Sequence, residues 1–518
     1  PPPRPPPPPP APPLRPPAAP AAAPADPISL SVVGRTPALG EERSEIAAFH
    51  TGTNRLFVTN DFSDRLDVYT LGPTGSPTPA GSITFTSGGA PATGSPTSVD
   101  VSRSGLVAVS LAASPTTDPG KIAYYDAASL APLGTTTAGA LPDMVTFTHS
   151  GRYLLAANEG EPAGAVDPDG SVTVVRLEDF TLGGPLPSRT VRTATFGGVP
   201  TVNDPRSFTG SNARDFEPEY ITRAIGDRRA YVSIQDANAV GVLDIPRAKF
   251  TKVQGLGYKK HVLGANALDP SDTDGVVSLR SYPNVLGMYQ PDALAAYRLT
   301  VRGKPVTFVA TANEGDARAG EDTRVSALPG GLDPASFPAP TPWTSNTELG
   351  RLNVSNIMGN TDADPQYEKL YAFGGRSMSI LDDDAEIVFD TGSELESYAK
   401  LNDLANFNKS NSASSAADNR SDDKGPEPEG IAVGSVNGRL YSFVAAERSG
   451  GLYVYDLEAN GPGGAKLVAY INTRPTDLGP EGVRFVRGPQ SPTGRPLVIV
   501  SHEISGTVTI FEVAGGGA

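Results

Sequence analysis

The sequence predicts an all-β fold: a seven-bladed β-propeller closed by an N-terminal strand and preceded by an N-terminal polyproline II arm. Three observations support this prediction. Glycine and proline supply 56 and 52 of the 518 residues, which favours a turn-rich β protein. Hydrophobic residues make up 38% of the chain, enough to form a core. Similar units of short strands recur along the chain, and radial repetition of such units is the propeller arrangement.

The N-terminal segment differs sharply in composition from the rest of the chain. Residues 1–27 are mostly proline and alanine, so we assign them as a proline-rich arm and residues 28–518 as the propeller. Proline lacks the backbone N–H and has a fixed φ, which leaves polyproline II as the available conformation. The arm is either a stiff spacer or a segment that docks on a neighbouring subunit or a cell-surface partner. Because the chain starts with Pro rather than Met, we expect that a targeting peptide has been removed.

The repeated unit consists of a strand that opens near an acidic residue, a second strand, a polar corner and a third strand. Units of this kind begin near Glu45, Pro96, Pro142, Glu217, Pro291, Pro428 and Pro480. A strand predicted at 28–33 would complete the last unit and close the ring. We expect corner insertions at about 160–170, 195–215, 255–290, 316–365 and 395–425, with a short helix at 395–407. A solenoid or two stacked sandwiches are the alternative folds.

Acidic residues occupy equivalent places in these units. The first strand of each propeller blade lines the central channel, so equivalent positions converge on the axis. The residues that open the first strands are Glu45, Asp143, Glu219, Asp292, Glu429 and Glu481. A second set lies at the corners after the second strands, namely Asp61, Glu159, Asp236, Glu314, Glu447 and Glu503. The similar spacing within each unit predicts that both sets lie near one face of the disc.

Carboxylates crowded at one channel mouth repel one another unless they are protonated, spread out or neutralised by a cation. Hard oxygen ligands of this type favour Ca²⁺ or Mg²⁺ over soft metals, and Ca²⁺ is the cofactor that we expect. The predicted metal ligands are Glu159, Glu219, Glu314, Asp316, Glu429, Glu481 and Glu503. Arg318 and Arg448 adjoin these acids and are predicted substrate-binding residues, because guanidinium groups beside a metal suit phosphate esters. The alternatives are a purely structural cation, or acids that each cap their own turn. No catalytic residue is assigned.

Several functional classes are excluded or disfavoured by composition. The chain has no cysteine, which excludes disulfides, zinc–thiolate sites, iron–sulfur clusters and thiol catalysis. A net charge of −15 argues against a nucleic-acid partner. No apolar run reaches about 18 residues, so no membrane span is predicted. The sequence also lacks a P-loop, a nucleophile elbow and a dinucleotide-binding fingerprint.

Together these motifs resemble the choice-of-anchor I domain, an exported β-propeller family. The matching stretches are 142–162 with ANEGEP, 167–172 with Asp169 where the family has Glu, 217–220, 312–318, 420–430 and 480–512. The resemblance implies an extracellular or cell-surface location. Some relatives in the family are labelled alkaline phosphatase or phytase-like esterase, and others are labelled cell-surface glycoprotein.

We therefore expect an exported, surface-associated propeller that acts as a structural or assembly module, such as a filament subunit whose arm docks on its neighbours. The alternative is a calcium-dependent phosphoesterase that uses the acidic central mouth. A third hypothesis is a carbohydrate-binding disc, which would need exposed tyrosines at the corners.

Overall fold

A computed structural model describes residues 27–41, 43–85, 94–362 and 364–516. The predicted arm lies outside these ranges except for Pro27, so its conformation and its docking stay predictions. Within the described ranges nearly all regular structure is strand, and most strands form four-stranded antiparallel sheets. The all-β prediction is confirmed.

The N-terminal half of the chain forms one sheet after another. β1 (Ser29–Arg35) is followed by a first sheet of β2 (Ala47–His50), β3 (Arg55–Asn60), β4 (Arg65–Leu71) and β5 (Pro77–Thr84). The second sheet contains β6 (Ser95–Val101), β7 (Leu106–Ala112), β8 (Pro119–Asp126) and β9 (Pro132–Ala140). The third contains β10 (Pro142–Phe147), β11 (Tyr153–Asn158), β12 (Ser171–Leu177) and β13 (Arg189–Thr195). The fourth contains β14 (Thr201–Val202), β15 (Ile221–Arg223), β16 (Arg229–Ile234), β17 (Ala239–Asp244) and β18 (Lys249–Gly255).

The C-terminal half continues this series around an inserted sheet. The insertion supplies β19 (Tyr258–Lys260), β20 (Val285–Met288), β23 (Asp322–Arg324), β24 (Asn353–Ser355) and β25 (Leu370–Ala372). The fifth sheet of the series contains β21 (Leu294–Val301), β22 (Lys304–Asn313), β26 (Ser377–Leu381) and β27 (Ile387–Asp390). The sixth contains β28 (Pro428–Val436), β29 (Arg439–Ala446), β30 (Leu452–Asp456) and β31 (Lys466–Ile471). The seventh contains β32 (Pro480–Val486), β33 (Leu497–His502) and β34 (Thr507–Ala514), and β1 pairs antiparallel with β34.

Helical structure is sparse in the described residues. The α-helices are α1 (Asn212–Asp215) and α2 (Glu394–Asn402), and the second of them agrees with the helix predicted at 395–407. Single 3₁₀ turns occur at Asp61–Ser63, Gly264–Asn266, Val325–Ala327, Leu404–Asn406 and Gly488–Gln490. A membrane-spanning helix would need about 20 apolar residues, and no described helix has that length and apolarity.

Hydrophobic clusters fill the spaces between consecutive sheets of the series. The space between the first and second sheets, for example, is filled by residues such as Phe57 and Val109. The last cluster packs the seventh sheet on the first, with Phe49 beside Ile510. Since sheets cover both faces of most strands, a middle strand such as β7 is buried at all seven positions and reads as a continuous apolar run.

The first strands of the seven sheets lie side by side around a common space, which we call the channel. These strands are β2, β6, β10, β15, β21, β28 and β32, and each contacts the first strands of both neighbouring sheets. Their N-terminal ends therefore meet at one mouth of the channel and their C-terminal ends at the other.

The insertions predicted at 255–290 and 316–365 are not separate corners. β20 pairs in parallel with β25, and the strands of both segments form one five-stranded sheet. This insertion sheet has its own core, which includes Tyr282, Leu349, Leu352 and Val354. Strands of three or four residues are too short to show a clear alternation of apolar and polar positions, so the sequence did not predict their pairing.

Candidate functional site: an acidic channel mouth

Two Pro-Glu-Gly segments position neighbouring glutamates at the start of β28 and β32. A Cβ atom at Gly430 would lie 1.8 Å from the backbone oxygen of Glu481, so only glycine fits where these strands approach each other. The same arrangement recurs at Gly482, whose N–H donates to the backbone oxygen of Glu45 at 3.2 Å. The glycines therefore let consecutive first strands pack closely, which brings their acidic residues to one level of the channel.

Acids at the start of six first strands line this mouth, and we call this group the inner acidic ring. All of them are half-buried: Glu45, Asp143, Glu219, Asp292, Glu429 and Glu481. Burial raises the pKa of Asp292 well above its usual value, and Asp143 from the third sheet adds to this shift. Asp292 in turn helps to raise the pKa of Glu481 in the seventh sheet. Acids from distant parts of the chain therefore act on one another, as the equivalent positions in the repeats predict.

Ionisation of the inner acidic ring is disfavoured. Burial is the larger cause and repulsion from nearby carboxylates is the second, and together they raise the pKa values of Glu219 and Glu429 well above the usual range. The same two causes raise the pKa of Asp143 to about 6. At neutral pH the ring therefore holds a proton or a cation more readily than a full set of bare charges.

Two oxygens of the ring are left without partners. The Oε2 atoms of Glu429 and Glu481 are buried and accept no hydrogen bond from any residue that the structure describes. Simple capping of a turn, in which a carboxylate accepts backbone N–H groups, does not account for these atoms. A buried carboxylate oxygen of this kind needs a proton or a cation.

The sequence Asn-Glu-Gly occurs at two corners, 158–160 and 313–315, and each of its three residues has a different structural role. The Nδ2 atom of Asn158 donates to β12, and that of Asn313 donates to serines of β26, so each asparagine ties the second strand to the third. The glycines have φ values of 74° and 100°, which favour glycine over other residues. The glutamate between them lies near the channel mouth: Glu159 adds to the raised pKa of Glu219, and Glu314 to that of Asp292.

A second acid cluster is neutralised by a lysine, and we call Glu314, Lys424, Glu427 and Glu447 the lysine centre. The Nζ atom of Lys424 lies 2.8 Å from Oε1 of Glu314 and 3.1 Å from Oε2 of Glu427. The three carboxylates are close enough together to hold a metal ion. In this structure the ammonium group of Lys424 binds two of them.

Further cations surround Glu427 in the lysine centre. Arg420 lies 2.6 Å from its Oε1 atom, and Nε of Arg448 lies 3.1 Å from its Oε2 atom. Burial alone would raise the pKa of Glu427, but Lys424 and the two arginines outweigh it and lower this pKa to about 2. Glu427 is therefore a fully compensated buried anion.

The insertion sheet holds the loop that carries Lys424. The N–H of Asn353 in β24 donates to the backbone oxygen of Asp422 at 2.8 Å. The Asp422 carboxylate pairs with Arg324 at 2.9 Å and with Arg351 at 2.7 Å. Buried Arg376 also donates to the backbone oxygen of Asp423 at 2.6 Å. These bonds fix the two residues before Lys424, so the insertion sheet helps to hold Lys424 in position at the mouth.

Arg318 is surrounded by acids of the fourth sheet and the loop before it. It pairs with Glu217, with Asp236 at 3.2 Å and with Asp215 at 3.9 Å, and its guanidinium carbon lies 4.5 Å from the centre of the Phe208 ring. Arg448 likewise has its Nε within 3.1 Å of two glutamates of the lysine centre. Substrate binding by either arginine stays a prediction, and in this structure both bind the protein's own carboxylates.

The predicted metal ligands fall into three places. Glu219, Glu429 and Glu481 lie in the inner acidic ring, and Glu159 and Glu503 lie next to it, since they raise the pKa values of Glu219 and Glu481. Glu314 lies in the lysine centre, and Asp316 is exposed. Metal binding by these residues stays a prediction.

Sequence reasoning missed the roles of Lys424, Glu427 and Arg376. One signal was available for the first two: a single lysine among four acids in the stretch 420–430. Acids that are buried together need a cation from the protein, and Lys424 is the lysine that lies among these acids in the sequence.

The profile of the choice-of-anchor I domain family matches residues 45–460. Gigasin-3a of Magallana gigas is 35% identical over 188 residues, which cover 32% of this chain and 65% of that protein. A mesenchyme-specific cell surface glycoprotein of Strongylocentrotus purpuratus is 25% identical over 292 residues, which cover 49% of this chain and 36% of that protein. The chain thus spans less than two thirds of the length of either relative.

Solved structures with a similar arrangement have very different sequences. One is hydrazine synthase of Kuenenia stuttgartiensis, at 11% identity and a TM-score of 0.46, covering 91% of this chain and 96% of that chain. Another is the β-propeller domain of Cps50 (Swd1) of Myceliophteria thermophila, at 9% identity and a TM-score of 0.42, covering 93% and 99%. Similarity at this level carries no argument about activity.

Proposed function

Since this chain belongs to the choice-of-anchor I domain family, we propose that it is an extracellular, surface-associated β-propeller with a structural or assembly role. The name of one relative, a cell surface glycoprotein, supports the location. The structural role is supported by the ion pairs at the channel mouth. The cations nearest to the acids, such as Lys424, Arg448 and Arg318, pair with the protein's own carboxylates.

We infer that the seven sheets are the blades of one ring, closed by β1. The support is the set of hydrophobic clusters between consecutive sheets, the last of which joins the seventh to the first. β1 pairs with β34 from Ser29 opposite Ala514 to Arg35 opposite Thr509. Arg35 also binds Asp477 through two hydrogen bonds of 2.8 and 2.7 Å.

A closed ring of this kind suits an assembly module. An arm that precedes β1 would leave the disc at its rim, and 27 residues of polyproline II would extend roughly 80 Å. That reach is sufficient for the arm to dock on a neighbouring copy, and repeated head-to-tail docking would build a filament.

The observation that favours a structural role over a catalytic one is that the arginines at the mouth pair with carboxylates of the protein. A phosphoesterase needs guanidinium groups that face the substrate phosphate. Arg318 instead meets three carboxylates, and Arg448 meets two. Such compensated charge clusters fix one arrangement of loops around the mouth.

We also propose that the inner acidic ring binds Ca²⁺ as a structural ion. The ring fits a hard cation because its donors are carboxylate oxygens, two of which have no hydrogen-bond partner among the described residues. A bound divalent ion would allow these acids to ionise together.

Because the same ring could hold a catalytic Ca²⁺, a calcium-dependent phosphoesterase is the second candidate function. Hydrolysis of p-nitrophenyl phosphate separates the two functions. We expect no hydrolysis above that of a buffer blank, with or without Ca²⁺. Hydrolysis that is lost with a chelator and in both Glu314→Gln and Glu429→Gln would overturn the structural assignment.

Assembly is tested by comparing the full chain with a variant that lacks residues 1–27. Light scattering and electron microscopy should show assemblies of the full chain and single discs of the variant. Equal particle sizes for the two would reduce the arm to a spacer.

A further inference from the structure

The end of the channel opposite to the acidic mouth opens into a cavity of about 370 Å³. Its walls are formed by the C-terminal parts of the first strands and by the residues that follow them, including Val101 of β6, Phe147 of β10 and Val486 of β32. The two ends of one channel can therefore be compared directly.

This cavity has the opposite charge to the acidic mouth. In the described part of the chain, its charged lining residues are Arg103, Arg223, Arg298, Arg484, Arg487 and Asp100. Two histidines, His50 and His149, add to this lining, and burial lowers the pKa of each below its usual value. Five arginines and one aspartate thus line this cavity, and the Asp227 carboxylate binds His149 at 3.3 Å.

The cations of the cavity are only partly compensated. One Nη atom of Arg484 lies 3.0 Å from Oδ1 of Asp100. The Nε atom of Arg223 is buried and has no hydrogen-bond partner among the described residues. A buried guanidinium N–H without an acceptor costs free energy that a bound anion would recover.

The electrostatics at Arg223 agree with this geometry. Burial lowers its pKa, Asp100 acts in the opposite direction, and the positive charge of Arg484 lowers the pKa further. Two guanidinium groups that repel each other in a half-buried cavity form a preorganised receptor for an anion.

We propose that this basic cavity is a binding site for a phosphate or sulfate group, held between Arg223 and Arg484 with Arg103, Arg298 and Arg487 at its entrance. The planar guanidinium fork matches two oxygens of such a group. The ligand enters from the basic end of the channel, where the cavity lies. The group could belong to a free ion or to an ester on a sugar, and both share this chemistry.

Binding is measured by isothermal titration calorimetry on the full chain at low and at moderate salt. The probes are inorganic phosphate, inorganic sulfate, pyrophosphate and a sulfated disaccharide, with acetate as a carboxylate control. We expect saturable binding of at least one phosphate or sulfate probe, weaker at moderate salt, and none of acetate. Tighter binding of the disaccharide than of sulfate identifies an ester; equal binding identifies a free ion.

The variants Arg223→Gln and Arg484→Gln should each weaken binding at least about tenfold, the loss expected for one charge-assisted contact. Arg487→Gln gives a second route, because Arg487 is exposed and its replacement leaves the core intact. It should weaken binding by a smaller factor. Arg176→Gln, on an exposed position of β12, is the matched control and should bind like the wild type.

Two results would overturn the proposal. The first is no saturable heat from any of the phosphate or sulfate probes up to about 10 mM, a concentration above the range of specific sites. The second is unchanged binding in folded Arg484→Gln and Arg487→Gln, since the anion would then lie elsewhere.

Discussion

Glu427 and Glu429 are two residues apart in the chain, and their pKa values shift in opposite directions. Glu427 is surrounded by Lys424 and two arginines, which outweigh burial and lower its pKa to about 2. Glu429 meets mainly other carboxylates, which together with burial raise its pKa well above the usual value. The chain thus supplies its own cations to the lysine centre and leaves the inner acidic ring to protons or to an external cation.

Removing the lysine should have the largest effect on this contrast. Lys424→Met leaves Glu314 and Glu427 without their shared cation, and breaking a buried pair from one side costs about 3–5 kcal/mol. Urea denaturation followed by far-ultraviolet circular dichroism measures the loss. Lys466→Met, on an exposed position of β31, is the control. An effect no larger than that of the control would mean that Lys424 does not hold the centre together.

Calcium should stabilise the inner acidic ring rather than the lysine centre. At about 100 times its dissociation constant, a ligand specific for the folded state adds about 2.7 kcal/mol of stability. We expect Ca²⁺ to raise the Tm of the wild type by several degrees and to have little effect on Glu429→Gln. Glu178→Gln, at an exposed position, should respond like the wild type. Equal shifts in all three proteins would place the ion outside the inner acidic ring.

The close approach of first strands can be tested at Gly430. Gly430→Ala places a Cβ atom 1.8 Å from a backbone oxygen of β32, so the two strands must separate, at a cost of about 1–3 kcal/mol. Gly197→Ala is the control, because a Cβ atom there meets nothing within 4 Å. A Tm of Gly430→Ala equal to that of the control would contradict the packing described for the Pro-Glu-Gly segments.

The pH dependence should show the smallest effect, with opposite signs for the two clusters. Asp143, Glu219, Asp292, Glu429 and Glu481 have raised pKa values, so in a metal-free protein their contribution to stability is lost as the pH rises, for Asp143 through about 6. Glu427 has a lowered pKa, so its contribution is present above about 4.5 and is lost as the pH falls toward 2.

A metal-free Tm profile from pH 3 to pH 8 measures both contributions. We expect a maximum between the two declines and a shallower decline on the alkaline side in Glu429→Gln. An alkaline limb with the same slope in both proteins would show that the ring does not titrate in this range.

The sequence predicted the features that depend on local patterns and failed on those that depend on distant contacts. The acidic ring was predictable because equivalent positions of a repeat converge on one axis. The same reasoning, applied to the other ends of the first strands, would have found Arg223 and Arg484. The partners of Arg318 were not predictable, since Glu217 lies 101 residues earlier in the chain. The insertion sheet was missed for the same reason, because its strands come from two segments.

The pairing of β1 with β34 determines when β1 can complete its folding during synthesis. Ser29 meets its partner Ala514 only after nearly the whole chain has been synthesised. At about 5–20 residues per second, this strand waits roughly half a minute to a minute and a half with an unsatisfied edge. During that interval it can pair with the edge of another nascent copy, so the pairing of β1 with β34 is also the step most exposed to aggregation.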